Sequence, residues 1–162
     1  MKKSKNSAFS ELKKMKDEYE RKLKTDGQRV LKERFKELFG AHPELLGVKW
    51  QQYTPYFNDG EACVFTVHSV EGVLLDVRVA EGLSLVDSTK TDSYDTLRVE
   101  EQQCVWVDVY TLRDKLPAIL LSINEVGDEL RQFSDLAQAV FGDHCEVSAT
   151  RDGFKVIDIE HD

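Results

Sequence analysis

Between residues 8 and 39 the apolar positions Leu12, Met15, Tyr19, Leu23, Val30, Leu31, Phe35 and Leu38 recur every three, four or seven residues, and Lys, Arg and Glu fill the other side. That spacing predicts an amphipathic helix, because positions three and four apart return to one helical face. Thr25-Asp26-Gly27-Gln28 interrupts the stripe with the form of a capping box, Thr25 as N-cap and Gln28 at N3, which leaves two readings: a second helix starting there, or one kinked helix. Gly40 and Pro43 mark its end.

Beyond Pro43 the period changes to two. Strands are expected near residues 48–53, 62–70 and 73–80, separated by Asn58-Asp59-Gly60 and by Glu71-Gly72, the latter short enough for a tight hairpin; together they suggest an antiparallel meander. In the third strand Val73, Leu75, Val77 and Val79 alternate with Leu74, Asp76 and Arg78, so one face is expected in the core and the other largely in water. Residues 81–103 are rich in Ser, Thr, Asp and Glu and show neither period, which reads as a long surface segment with room for one short strand. Alternation returns at Val105, Val107 and Val109 against Trp106, Asp108 and Tyr110, a fourth strand.

A stripe of Leu116, Ile119, Leu120, Ile123, Val126, Leu130, Phe133, Ala137, Val140 and Phe141 predicts a helix over residues 114–141, with Pro117 in its first turn, Gly127 as its weak point and Gly142 as its stop. Residues 146–150 and 154–159 flank Arg151-Asp152-Gly153 and predict a closing hairpin. The order α-βββ-β-α-ββ implies an α+β fold, an antiparallel sheet with helices mainly on one face. A basic amphipathic helical arm takes residues 1–40 and the α+β body residues 41–162.

Charge divides along the same line. Residues 1–40 carry 13 Lys or Arg against 7 Asp or Glu, a net +6, which leaves −14 for the rest of a chain whose total is −8. Two solvated surfaces are the ordinary reading of such a split; the sharper one pairs the arm with an acidic partner, or has the body repel or imitate nucleic acid. The arm's Lys2, Lys3, Lys5, Lys13, Lys14, Lys16, Arg21, Lys22 and Lys24 are interspersed with Glu and Asp and form no DNA-reading motif, so helix pairing, including a homo-oligomer through this helix, is favoured over nucleic acid. Strict heptads fail at Lys22 and Gly27. No apolar run reaches the roughly 18–20 residues of a membrane span and no secretory signal opens the chain, so a cytoplasmic protein without membrane contact is expected. The odd set Cys63, Cys104 and Cys145, each beside apolar neighbours, suggests buried reduced thiols.

Metal and nucleophile chemistry find little purchase. His42, His68, His144 and His161 with the three cysteines lack ligand spacing, and no cofactor is called for. Cys63 or Cys104 beside His68 or His144 would need assembly in three dimensions, and no glycine-rich phosphate loop or Gly-x-Ser-x-Gly elbow is present. Asp87, Asp92, Asp95, Glu100 and Glu101 line the irregular segment without a cation-loop pattern and read as a solvated acidic face.

The richest segment is the connection after the first strand. Trp50, Gln52, Tyr53, Thr54, Tyr56, Phe57, Asn58 and Asp59 place aromatics and amides around one turn, the groups that fix orientation and stack on a planar ligand or partner loop; turn chemistry with aromatics covering the sheet end is the plainer account. Trp50, Gln52-Tyr53-Thr54-Pro55 and Phe57-Asn58-Asp59-Gly60, with Phe141-Gly142-Asp143-His144, the Thr150-Arg151-Asp152-Gly153 hairpin and the terminal His161-Asp162, resemble an uncharacterised family of small bacterial and phage proteins. The resemblance implies a shared fold and a phage or prophage origin, and brings no assigned activity with it. A non-enzymatic protein that binds, and inhibits, a host protein is therefore the expectation. The alternative is a small-molecule or nucleotide-binding domain, or a hydrolase, using residues 53–60.

Overall fold

The computed structural model describes residues 5–56, 60, 62–86 and 96–160. Helix α1 (Lys5–Ala41) runs unbroken through 37 residues, which resolves the choice between two helices and one. Thr25 does not cap a second helix: its hydroxyl donates back to the Arg21 carbonyl at 3.0 Å, the self-bonding that lets a Thr sit inside a helix. Gly27 is buried for a packing reason, since a Cβ there would lie 2.2 Å from Leu136 Cδ1 on a neighbouring helix.

Among the described residues the sheet has seven strands. β1 (Leu45–Tyr53) is central, β3 (Gly72–Asp76) and β6 (Cys145–Thr150) flank it, β5 (Gln102–Asp108) and β4 (Thr96–Val99) extend one side, and β7 (Gly153–Asp158) closes the other. Every pairing is antiparallel. The expected meander is altered in one place. β2 (Thr66–Val67) and β3 both lie along the same edge of β1, Val67 opposite Gln52 and Gly72 opposite Lys49, so Glu71-Gly72 is a jog within one run and not a hairpin. A Cβ at Gly72 would come within 2.7 Å of the flexible Lys49 side chain, which would have to shift aside. The strand expected over 62–70 accordingly shrinks to its two residues, and the third strand stops early: the Asp76 carboxylate accepts from the Arg78 amide at 2.8 Å and caps helix α2 (Val77–Gly82).

The segment after α2 supplies β4, joined to β5 through Glu100 and Glu101, both at left-handed φ (49° and 64°), the geometry of a two-residue hairpin turn without its usual Asn or Gly. After β5 and a single 3-10 turn (Val109–Leu112), the expected long helix divides into α3 (Pro117–Gln132) and α4 (Ser134–Phe141). Gly127 lies buried inside α3, and the break falls at Phe133, whose φ of −107° and ψ of 44° leave the helical region. Gly142, at φ 94°, ends α4 as expected, and β6 and β7 form the closing hairpin around Arg151-Asp152.

The helices pack on one face of the sheet. Val48, Trp50, Val73, Leu75, Val105, Val107, Val147 and Ala149 point inward to Leu31, Phe35, Leu38 and Phe39 of α1 and to Ile119, Ile123, Val126 and Leu130 of α3. The second face holds a small cluster of Leu46, Leu74, Val99 and Cys104 under half-buried Trp106, so the third strand is buried on both faces where one solvated face was expected. No helix is long and apolar enough to cross a membrane among the described residues.

Candidate functional site

From Val48 onward β1 alternates buried and half-buried residues, and the alternation divides the residues expected to form a site. Trp50 and Gln52 point into the core and are fully buried. The Trp50 ring stacks on Phe35 at 5.6 Å and meets Phe141 edge-on at 5.8 Å. Its indole N–H donates to Gln52 Oε1 at 3.1 Å, while Gln52 Nε2 donates to the Ala137 carbonyl at 3.1 Å and the Gly142 carbonyl at 2.6 Å. Every polar atom of both side chains has a partner inside the protein, as burial demands. They fasten the end of α4 to β1 and are out of reach of a partner, a correction to their expected place in a binding site.

Tyr53 points to the open side of the sheet, half-buried, with its ring stacked on His68 at 4.0 Å and on His144 at 6.1 Å. Burial pushes the His68 imidazole below its ordinary pKa, and its Nε2 is buried without a hydrogen-bond partner, so the neutral ring is the form that fits. Thr54 is pinned by Asp143: its amide donates to Oδ1 at 2.8 Å and its hydroxyl to Oδ2 at 2.6 Å. Asp143 Oδ1 also accepts the His144 amide at 2.7 Å. Burial alone would raise the Asp143 pKa, but the Thr54 and His144 hydrogen bonds and the nearby His144 ring outweigh it and hold the carboxyl below its ordinary value. Tyr56, at 80% exposed, and Cys63 stand at the surface beyond this anchor, so Cys63 departs from the expected buried thiol. Phe57, Asn58 and Asp59 lie outside the described residues.

No family model, curated protein or solved structure matches this chain. The residues around Trp50–Thr54 and Phe141–Asp143 meet in the fold, through the contacts of Trp50 with Phe141, Gln52 with Gly142 and Thr54 with Asp143. Arg151 ties the sheet to α1: its guanidinium donates to the Phe39 carbonyl at 2.9 Å and the Pro43 carbonyl at 3.3 Å, where a cation suits the carbonyl end of a helix.

The rest of the open face was not singled out from sequence. Lys49, Trp106, Glu71, Asp108 and Glu146 share it, with the Lys49 ammonium 4.9 Å from the centre of the Trp106 ring. Burial, then the charge of Glu146 and a hydrogen bond shared with it, raise the Glu71 carboxyl above its ordinary pKa; Asp108 adds to this and Lys49 opposes it. The strand alternation, Lys49-Gln51-Tyr53 against Val48-Trp50-Gln52 and Trp106-Asp108 against Val105-Val107, was the signal that could have found them. Of the acidic residues expected to form a face, Glu100 and Glu101 occupy the β4–β5 turn, and Asp87, Asp92 and Asp95 lie outside the described residues.

Among the described residues no three His, Cys, Asp or Glu side chains come together to hold a metal ion. The Cys104 and Cys145 thiols are buried, and burial pushes both up, Cys145 to about 11, which keeps them protonated and poorly nucleophilic at neutral pH.

Proposed function

We propose that the chain is a non-enzymatic interaction protein whose open sheet face, with the adjoining connection at Tyr56, binds a protein partner. One observation carries this reading: helices cover one face of the sheet, and the other presents half-buried Trp106 and Tyr53 among Glu71, Asp108 and Glu146. Aromatic groups held by a rigid sheet and ringed by charge have the composition of a protein-binding patch. The carboxylates, in a body with a net charge of −14 beyond residue 40 on a chain of −8, favour a partner with a basic surface. If the chain is phage-encoded, inhibition of a host protein by occupying such a basic surface is the form this role takes.

The experiment is affinity capture from bacterial lysate with the tagged full chain, at low and high salt, alongside Tyr56→Ala and Glu146→Lys variants. A stoichiometric protein that is released at high salt and lost with Glu146→Lys supports the reading. No captured protein, or equal capture by the charge-reversed variant, overturns it, and a ligand screen by thermal shift then takes up the small-molecule alternative.

A further inference from the structure

Helix α1 bears two apolar faces. Gly27, Leu31, Phe35, Leu38 and Phe39 turn to the body and are buried. Phe9, Leu12, Met15 and Tyr19 are 58–74% exposed, with Leu23 half-buried at the end of the series. At 3.6 residues per turn the second set is rotated by roughly 110° from the first, and of it Tyr19 and Leu23 border the body at a groove beside α4 while Phe9, Leu12 and Met15 project past it.

We propose that residues 9–23 of α1 pair antiparallel with the same residues of a second copy of this chain. The apolar spacing is nearly palindromic about the Met15–Lys16 bond: reversing the helix there sets Leu12 opposite Tyr19 and brings Phe9 to within one residue of Leu23 and Met15 to within one residue of itself. The flanking charges favour that orientation, because Glu11 comes within two residues of Lys22 and Lys13 within two residues of Glu20. A parallel pair would set Lys13 against Lys13 and Lys22 against Lys22. The body also offers a seat at the right height: a groove of about 570 Å³ between α1 and α4, lined by Tyr19, Leu23, Asp135, Gln138 and Ala139 among others, lies where Phe9 of the second copy arrives.

The area suffices. Exposed side chains of this size contribute roughly 100–150 Å² each, so the two stripes together bury on the order of 1,000 Å², the lower bound for a specific interface. Pairing leaves the open sheet face untouched, so the dimer would present that face twice and gain avidity for a repeated or bulky partner.

Sedimentation equilibrium of the full chain from about 1 to 200 µM tests this, since an interface of this size is expected to associate in the micromolar range. The expected result is a concentration-dependent dimer. Leu12→Glu with Tyr19→Glu should raise its dissociation constant at least about 30-fold, the loss of a hot-spot pair, with near-ultraviolet circular dichroism confirming an intact body. Lys13→Glu should weaken the dimer, and Lys13→Glu with Glu20→Lys should restore it. A monomer throughout, a dimer that survives Leu12→Glu with Tyr19→Glu, or a charge swap that fails to restore pairing overturns the proposal. A monomer whose arm binds anionic lipid vesicles overturns it in favour of a membrane surface.

Discussion

The two halves of α1 share one backbone, one period and much the same composition, yet they are held in different ways. In the C-terminal half, Phe35 stacks on Trp50 at 5.6 Å and meets Phe154 edge-on at 5.6 Å, and Arg34 forms a 2.7 Å ion pair with Glu129 of α3. In the N-terminal half the ion pairs are local and exposed, Lys16–Glu20 and Glu18–Arg21, and the body is met only where Tyr19 and Leu23 border the groove beside α4. Such pairs contribute only about 0.2–0.5 kcal/mol each, and a solitary helix of about 15 residues is marginal in water. Periodicity thus reveals that a face exists without revealing what covers it.

The largest expected difference between the halves comes from Phe35→Ala, which removes a ring packed on three sides and should cost about 3–5 kcal/mol in equilibrium denaturation. Gly27→Leu drives a side chain into the space of Leu136 and Val140 and should cost about 2 kcal/mol, loosening α4 from α1; a neutral result would mean the two helices separate easily. Asp143→Asn weakens the anchor of Thr54, for about 1–2 kcal/mol at pH 7 by thermal or chemical unfolding. Because the folded carboxyl titrates below its unfolded value of about 3.9, its contribution is complete above that pH and disappears as pH falls through the folded value, so wild type and variant should converge in acid. The smallest effect is expected from Leu12→Ser with Tyr19→Ser, within about 0.5 kcal/mol when measured at concentrations where the protein is monomeric.

The elements built on a repeating pattern were legible in the sequence: α1, the Val48–Trp50–Gln52 alternation, the stripe through Ile119, Ile123 and Leu130, and the turn before Gly153. The errors cluster where a residue's meaning is set by a distant neighbour. Gly27 resembled a helix break, but the atom that excludes a side chain there belongs to Leu136; Gly72 resembled a turn, but it opens a strand that continues along the same edge of β1. Phe133 carries no breaker signal, and its side chain continues the apolar spacing that the backbone abandons. For the site, the outward register of Tyr53, Lys49 and Trp106 could be read from alternation alone. The convergence of Glu71, Asp108 and Glu146, and the clasp of Thr54 by Asp143, depend on strand order, which one sequence does not encode locally. Gln52 was readable in part: an amide in register with Val48 and Trp50 must be buried, and a buried amide must be fully bonded.

The most direct test of the contrast within α1 is native-state hydrogen exchange, residue by residue, at several protein concentrations. Amides of residues 28–39 should be protected to the level of global unfolding at every concentration, whereas those of residues 9–23 should exchange rapidly when dilute and gain protection as concentration rises. Uniform protection along the whole helix, independent of concentration, would contradict the account.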